Sequence, residues 1–157
     1  MTLNRRERQG AILRLIHEQP ISTQAELAAA LESAGHHVVQ TTISRDIHEL
    51  GLTKVRDAEG RLVYAPPGAV DFDRLRDLGA AVRRLALSIE SSGNLVLIKT
   101  LSGFGPALAE EIDRTPHPMI LGTVAGDNTI LVVAREGVSG EELRDDLRAH
   151  LLEEGAA

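Results

Sequence analysis

Apolar positions recur at helical spacing through the first third of the chain. Over Arg5 to Glu18, the residues Ala11, Ile12, Leu15 and Ile16 share one face and predict an amphipathic helix that Pro20 stops. Thr23-Gln24-Ala25-Glu26 reads as a capping box, the Thr23 oxygen accepting from the Glu26 N–H while Glu26 reaches back. Leu27 and Leu31 form the stripe of the Ala-rich helix that follows, and Gly35 suits the position just past its end. A third helix is predicted from about Thr41 to Leu50, ended by Gly51. Leu52 to Arg56 and Arg61 to Tyr64 read as short strands joined by an Asp57-Ala58-Glu59-Gly60 hairpin turn.

The second half alternates. Asp71 to about Arg84 has Phe72, Leu75, Gly79 and Val82 at helical spacing. Leu85 to Glu90 turns strand-like, Ser91-Ser92-Gly93 reads as a turn, and Leu95 to Ile98 is a buried strand by length and branching. Gly105 to Arg114 predicts a helix with Leu108 and Ile112 inward. Met119 to Val124 and Ile130 to Ala134 are two more strands. Ser139-Gly140-Glu141-Glu142 is a second capping box, opening a helix with Leu143, Leu147 and Leu151 inward. Helix, strand, strand, helix, strand, strand, helix is the order of an α+β layer, one sheet with helices on one face.

Between the halves, Ala65-Pro66-Pro67-Gly68 favours an extended linker. The boundaries are therefore 1–65, a linker at 66–70, and 71–157. Composition narrows the classes. The 157 residues are 43% hydrophobic, enough for a core, and contain no Cys, which excludes a disulfide scaffold, a thiolate metal site and a Cys nucleophile. No apolar run suits a membrane helix, and the opening Met1-Thr2-Leu3-Asn4-Arg5-Arg6 lacks the apolar stretch of an export signal, so a cytoplasmic location is expected. The net charge of −6 argues against blanket nucleic-acid binding, yet residues 1–65 hold 8 Lys/Arg against 8 Asp/Glu while the remainder holds 9 against 15. Either the two parts have different electrostatic tasks or the asymmetry is chance.

The third helix changes the picture. With Ile43 at 0° and about 100° per residue, Ile47 falls near +40° and Leu50 near −20°. Thr41, His48 and Arg45 then fall near 160°, 140° and 200° on the opposite face, with Ser44 on the flank. Such a face is either a solvated surface or a reading head for a major groove. Arg45 can fork to guanine O6 and N7, Gln40 can pair with adenine, and Thr41, Thr42 and Ser44 can donate to phosphates. Lys54, Arg56 and Arg61 on the next hairpin make either a DNA-gripping wing or an edge kept soluble by cations.

Here the residues carry a likeness. Gln40-Thr41-Thr42-Ile43-Ser44-Arg45-Asp46-Ile47-His48-Glu49-Leu50-Gly51-Leu52-Thr53-Lys54-Val55-Arg56 resembles the recognition-helix signature of the bacterial arginine repressors. Gly93-Asn94-Leu95-Val96-Leu97-Ile98-Lys99-Thr100 and Gly122-Thr123-Val124-Ala125-Gly126-Asp127-Asn128-Thr129-Ile130 resemble their pre-effector strand and effector motif, in the same order along the chain. The resemblance implies an α+β protein with an N-terminal winged helix-turn-helix domain and a C-terminal α/β oligomerisation and effector-binding domain. It implies a homo-oligomer, a hexamer of two trimers, with L-arginine as corepressor between the trimers. It further implies binding to double-stranded operator DNA and control of arginine biosynthesis and catabolism genes. Ser44 and Arg45 become the main DNA-contacting positions, and Asp113 and the region of Asp127 the effector-contacting ones. Two departures stand out: Gly126-Asp127-Asn128 where the family usually has Gly-Asp-Asp, and Pro106 where a polar residue is usual.

Guanidinium is best held by a carboxylate fork. Asp113 ends one helix and Asp127 sits in a strand–strand turn, so both could point to one end of the domain. With them, Pro106, Thr123, Ala125, Gly126, Asn128 and Thr129 complete the candidate effector site. Gly126-Asp127-Asn128 is also what a tight hairpin needs by itself. Acids placed at a subunit seam would oppose assembly until a cation arrives. The alternative function is a winged-helix regulator whose C-terminal domain binds another small molecule or serves assembly only. His36 and His37 are adjacent, so they read as loop residues rather than a chelating pair, and Asp145 and Asp146 read as a solvated face. No phosphate loop, G-x-S-x-G or H-E-x-x-H occurs, and no nucleophile meets a base, so no catalytic, metal or cofactor site is expected.

Overall fold

In the computed structural model, which describes residues 3–152, helix α1 (Arg5–Glu18) opens on a capping box that the sequence reading had passed over. Asn4 Oδ1 accepts from the Glu7 N–H at 2.9 Å, and Glu7 accepts from the Asn4 N–H at 3.0 Å. Helix α2 (Gln24–Ser33) is capped by Thr23, but the Glu26 carboxylate takes the Ser22 N–H at 2.7 Å rather than that of Thr23. The predicted box is thus only half formed. Gly35, at φ +89°, lets the chain turn out of α2, and the His36 N–H donates to the Leu31 carbonyl at 2.8 Å. Helix α3 (Gln40–Glu49) follows after a short turn, and Gly51 at φ +65° ends it in the same way.

Strands β1 (Thr53–Arg56) and β2 (Leu62–Ala65) pair antiparallel, Lys54 opposite Tyr64. Ile12, Ile21, Leu27, Leu31 and Ile43 form the core of this first unit, and burying each such side chain contributes about 1.5–3 kcal/mol. Residues 66–70, expected to be extended, instead turn: the Ala69 N–H donates to the Pro66 carbonyl at 3.2 Å, Gly68 takes φ +80°, and Pro67 packs beside Gly51. The chain divides into its two units after Phe72.

The second unit holds α4 (Phe72–Leu85), β3 (Ala86–Ser92), β4 (Leu95–Thr100), α5 (Gly105–Arg114), β5 (Ile120–Ala125), β6 (Thr129–Ala134) and α6 (Gly140–Leu152). The four strands form one antiparallel sheet in the order β3-β4-β6-β5. Ile89, Val96, Ile98, Ile130 and Val132 point to one face, where they meet Leu78 and Val82 of α4, Leu108 and Ile112 of α5, and Leu143 and Leu147 of α6. The order of elements and the one-sided helical layer agree with the sequence reading. The turn expected at Ser91-Ser92-Gly93 is shorter, since Ser91 and Ser92 extend β3, and three other details differ as well. Phe72 is exposed and Leu78 takes the inward place, because the buried stripe lies on Leu78, Ala81 and Val82. Leu151 is exposed beyond the end of the core. Asp146 is not simply solvated: its carboxylate meets His117 Nε2 at 3.2 Å, while His117 Nδ1 accepts from the Met119 N–H at 3.1 Å. That bond holds the Asp146 carboxyl below its ordinary range, against the upward pull of burial.

The other sheet face has an apolar centre flanked by Glu90 and Lys99, and no helix among the described residues covers it. By register it carries Leu95 and Leu97 of β4, Leu131 and Val133 of β6, and Val124 of β5, the last 68% exposed.

Candidate nucleic-acid interface and effector site

Helix α3 sorts its side chains as its periodicity requires. Ile43 is buried, whereas Gln40, Thr41, Ser44, Arg45 and His48 are exposed and Thr42 is half-buried. Among the described residues Arg45 has no hydrogen-bond or ion-pair partner, so its five donors face outward unspent. Val39 precedes the helix and supplies no side-chain cap. A cleft of about 190 Å³ opens there between Leu3, Arg8, His36, His37, Val39 and Thr42. The histidines lie in the loop before α3, as expected.

The hairpin is less freely basic than its composition. Lys54 is exposed and its Nζ stands 5.2 Å from the centre of the Tyr64 ring, a cation–π contact across the ribbon. Arg56 is half-buried and donates to the Gly60 carbonyl at 3.0 Å. Arg61 is tied to Asp57 at 3.1 Å and Glu59 at 3.5 Å. Desolvation acts upward on the Asp57 carboxyl, but the Arg61 donors outweigh it and hold it below the usual range. Sequence reading counted these cations without the acids of their own turn.

It also missed what holds α3. Asp46 is fully buried and its carboxylate accepts from Arg8 Nε, from Arg8 NH2 at 3.0 Å and from Gln9 Nε2 at 3.1 Å. Glu49, one turn later, accepts from Gln9 at 2.8 Å and pairs with Arg5 at 3.0 Å. Burial pushes the Asp46 carboxyl up, yet the Arg8 and Gln9 bonds and the Arg8 and Arg5 charges more than compensate and leave it lowered. The signal was present: near −60° on the wheel, Asp46 borders the apolar stripe. A carboxylate there needs an internal cation.

In the second unit the turn between β5 and β6 is built against the start of α5. The Gly126 N–H donates to the Thr129 carbonyl at 2.7 Å, closing the turn. The Asp127 carbonyl accepts from Gly103 at 3.1 Å and Gly105 at 2.9 Å, and the Asn128 carbonyl accepts from Thr100 at 2.9 Å. Asn128 Oδ1 accepts from the Thr129 hydroxyl at 3.0 Å, which itself accepts from Lys99 Nζ at 2.9 Å. These bonds fix the backbone and leave the exposed Asp127 carboxylate without a partner among the described residues. Pro106 sits exposed in the first turn of α5, where a missing N–H loses no helical bond.

The structure therefore brings Pro106, Ala125, Gly126, Asp127, Asn128 and Thr129 to one end of the unit. Asp113 stands at the other end of α5. It accepts from the Thr123 hydroxyl at 2.7 Å near the last turn of α5, eight residues or about 12 Å along the axis from Gly105. Through Thr123 it is tied to β5 two residues before Ala125, on the strand that leads into the Asp127 turn.

Both units match known families. The profile described as "Arginine repressor, DNA binding domain" covers residues 3–69, and "Arginine repressor, C-terminal domain" covers residues 82–149. The arginine repressor of Thermoanaerobacter sp. (strain X514) is 44% identical over 142 residues, spanning 90% of this chain and 95% of the relative. The chain belongs to the arginine repressor family. The arginine repressor of Symbiobacterium thermophilum is 45% identical over 144 residues, 90% of this chain and 94% of its own, and that of Heliobacterium modesticaldum 43% over 146, spanning 90% and 95%. Helices α1 to α3 and the β1–β2 hairpin thus lie in the family's DNA-binding domain, and the β5–β6 turn in its C-terminal domain. No helix among the described residues is long and apolar enough to cross a membrane.

Proposed function

We infer that the protein is a transcriptional repressor that reads duplex DNA through α3 and responds to L-arginine, acting by binding rather than catalysis in the cytoplasm. The observation that carries the reading is Arg45, exposed and without a partner among the described residues, on a helix whose other face is buried, in a chain of this family. Arg45 and Ser44 contact the operator, with Gln40, Thr41, Thr42 and His48 beside them. Lys54 leads the wing, and Arg56 and Arg61 contribute once freed from Gly60 and Asp57.

L-arginine is the corepressor. The Asp127 carboxylate takes the guanidinium in a two-bond fork, and the polar groups of Asn128 and Thr129 line the same turn. Because position 128 is an amide, each turn offers one carboxylate. Asp113 and the Thr123 hydroxyl bonded to it meet the ligand's other end or a neighbouring subunit's ligand. The open apolar face of Leu97, Leu131, Val133 and Val124 supports a homo-oligomer, a hexamer of two trimers. Arginine placed between trimers would neutralise acids that otherwise repel across the seam, which couples ligand to assembly.

Sedimentation velocity with and without L-arginine tests this coupling. Arginine should shift the distribution from trimer toward hexamer at low protein concentration. Identical distributions at every concentration would refute arginine-driven assembly.

A further inference from the structure

The cluster of Arg5, Arg8 and Gln9 with Asp46 and Glu49 is the most developed polar construction in the first unit, and reading DNA through Arg45 does not by itself require it. One turn of α1 presents three donor side chains, and successive turns of α3 present the two carboxylates that fill them. The backbone of α3 packs closely on α2, and α3 meets α1 through the shared apolar cluster of Ala11, Ile12 and Ile43 and through these polar side chains at its edge. No cap side chain anchors the α3 N-terminus. The apolar stripe sets which face α3 buries, and the ion pair, whose bonds are directional, fixes its rotation about its own axis more finely.

We propose that Asp46, gripped by Arg8 and Gln9, is a positioning residue that aims Arg45 and so governs discrimination between DNA sequences rather than attachment to DNA. This rests on the reading of α3 as the DNA-contacting helix. Arg45 is the residue next to Asp46, so any rotation of the helix moves both. At a radius of about 5–6 Å a 20° rotation carries a side chain about 2 Å. That shift misaligns a fork to guanine O6 and N7, which needs two bonds near 2.7–3.2 Å at once in one orientation. Phosphate contacts from long, flexible cations follow such a shift easily and carry no sequence information. Arg8 is committed to Asp46 and Arg5 to Glu49, so neither adds to backbone attachment while the pairs stand.

The test uses the full chain with L-arginine present and two duplexes of equal length. One is enriched by the parent protein from a randomised pool, the other is unselected. For Asp46→Asn, binding of the unselected duplex should stay within about twofold of the parent, while preference for the enriched duplex falls about tenfold or more. Arg8→Lys keeps the charge but loses the fork and should fall between parent and Asp46→Asn. Thermal unfolding shows which variants are folded under assay conditions. Should Asp46→Asn unfold the first unit, Arg8→Lys carries the same two outcomes. Unchanged preference, or equal weakening on both duplexes, overturns the proposal. A parent protein that enriches no duplex removes the DNA reading itself, and the positioning role with it.

Discussion

Replacing Arg45 with alanine should weaken operator binding by about 1–3 kcal/mol, about 5- to 150-fold, and relax sequence preference at the position it reads. The magnitude follows from geometry. A guanidinium that forks to one guanine makes two charge-assisted bonds, and alanine makes none. Arg45 is exposed and has no internal partner among the described residues, so its removal opens no cavity and leaves no buried charge. The variant should therefore melt with the parent and still bind L-arginine. Anisotropy titrations on enriched and unselected duplexes check both points. Parent-like affinity and preference would remove α3 from the interface.

The second large effect is expected at Gly105. A Cβ there would lie 2.3 Å from the Gly126 carbonyl oxygen and 2.9 Å from that of Asp127, both backbone atoms. No side chain can swing aside to make room. Gly105→Ala must push the β5–β6 turn away from α5 and stretch the bonds that Gly103 and Gly105 donate to the Asp127 carbonyl. Overpacking of this kind costs about 1–3 kcal/mol of stability. Because the Asp127 carboxylate moves with its backbone, arginine affinity should fall at least about tenfold. Gly10→Ala is the control, since a Cβ on Gly10 meets nothing within 4 Å and lies in the other unit. Calorimetric titration with L-arginine distinguishes them. Unchanged affinity in Gly105→Ala would dissociate the turn from the ligand site.

What the chain reveals before folding depends on how local the determinant is. The rotation of α3 was legible because Ile43, Ile47 and Leu50 lie within three turns of one another. The ends at Gly35 and Gly51 were legible because only glycine readily takes the positive φ that both adopt. The Arg8–Asp46 pair spans 38 residues and joins two helices, so periodicity alone could flag the acid but not name its partner. The 29-residue reach from His117 to Asp146 failed for the same reason. Arg61 reads as a wing or edge cation with no partner named, although Asp57 lies four residues before it, because hairpin geometry rather than spacing brings them together. Asp113 and Asp127 share a sign and a neighbourhood in sequence. The bond that links Asp113 to Thr123, and so to the strand that leads into the Asp127 turn, spans 10 residues and two elements, so spacing alone did not name it.

One measurement bears most directly on the link between the ligand turn and the reading helix: affinity for an enriched duplex as a function of L-arginine, with citrulline and lysine in parallel. Citrulline keeps the shape of arginine and lacks its charge, whereas lysine keeps the charge and lacks the fork. Coupling of about 1–3 kcal/mol predicts an arginine-induced gain of about 5- to 150-fold, and little from either analogue. Equal DNA affinity with and without arginine would contradict the account.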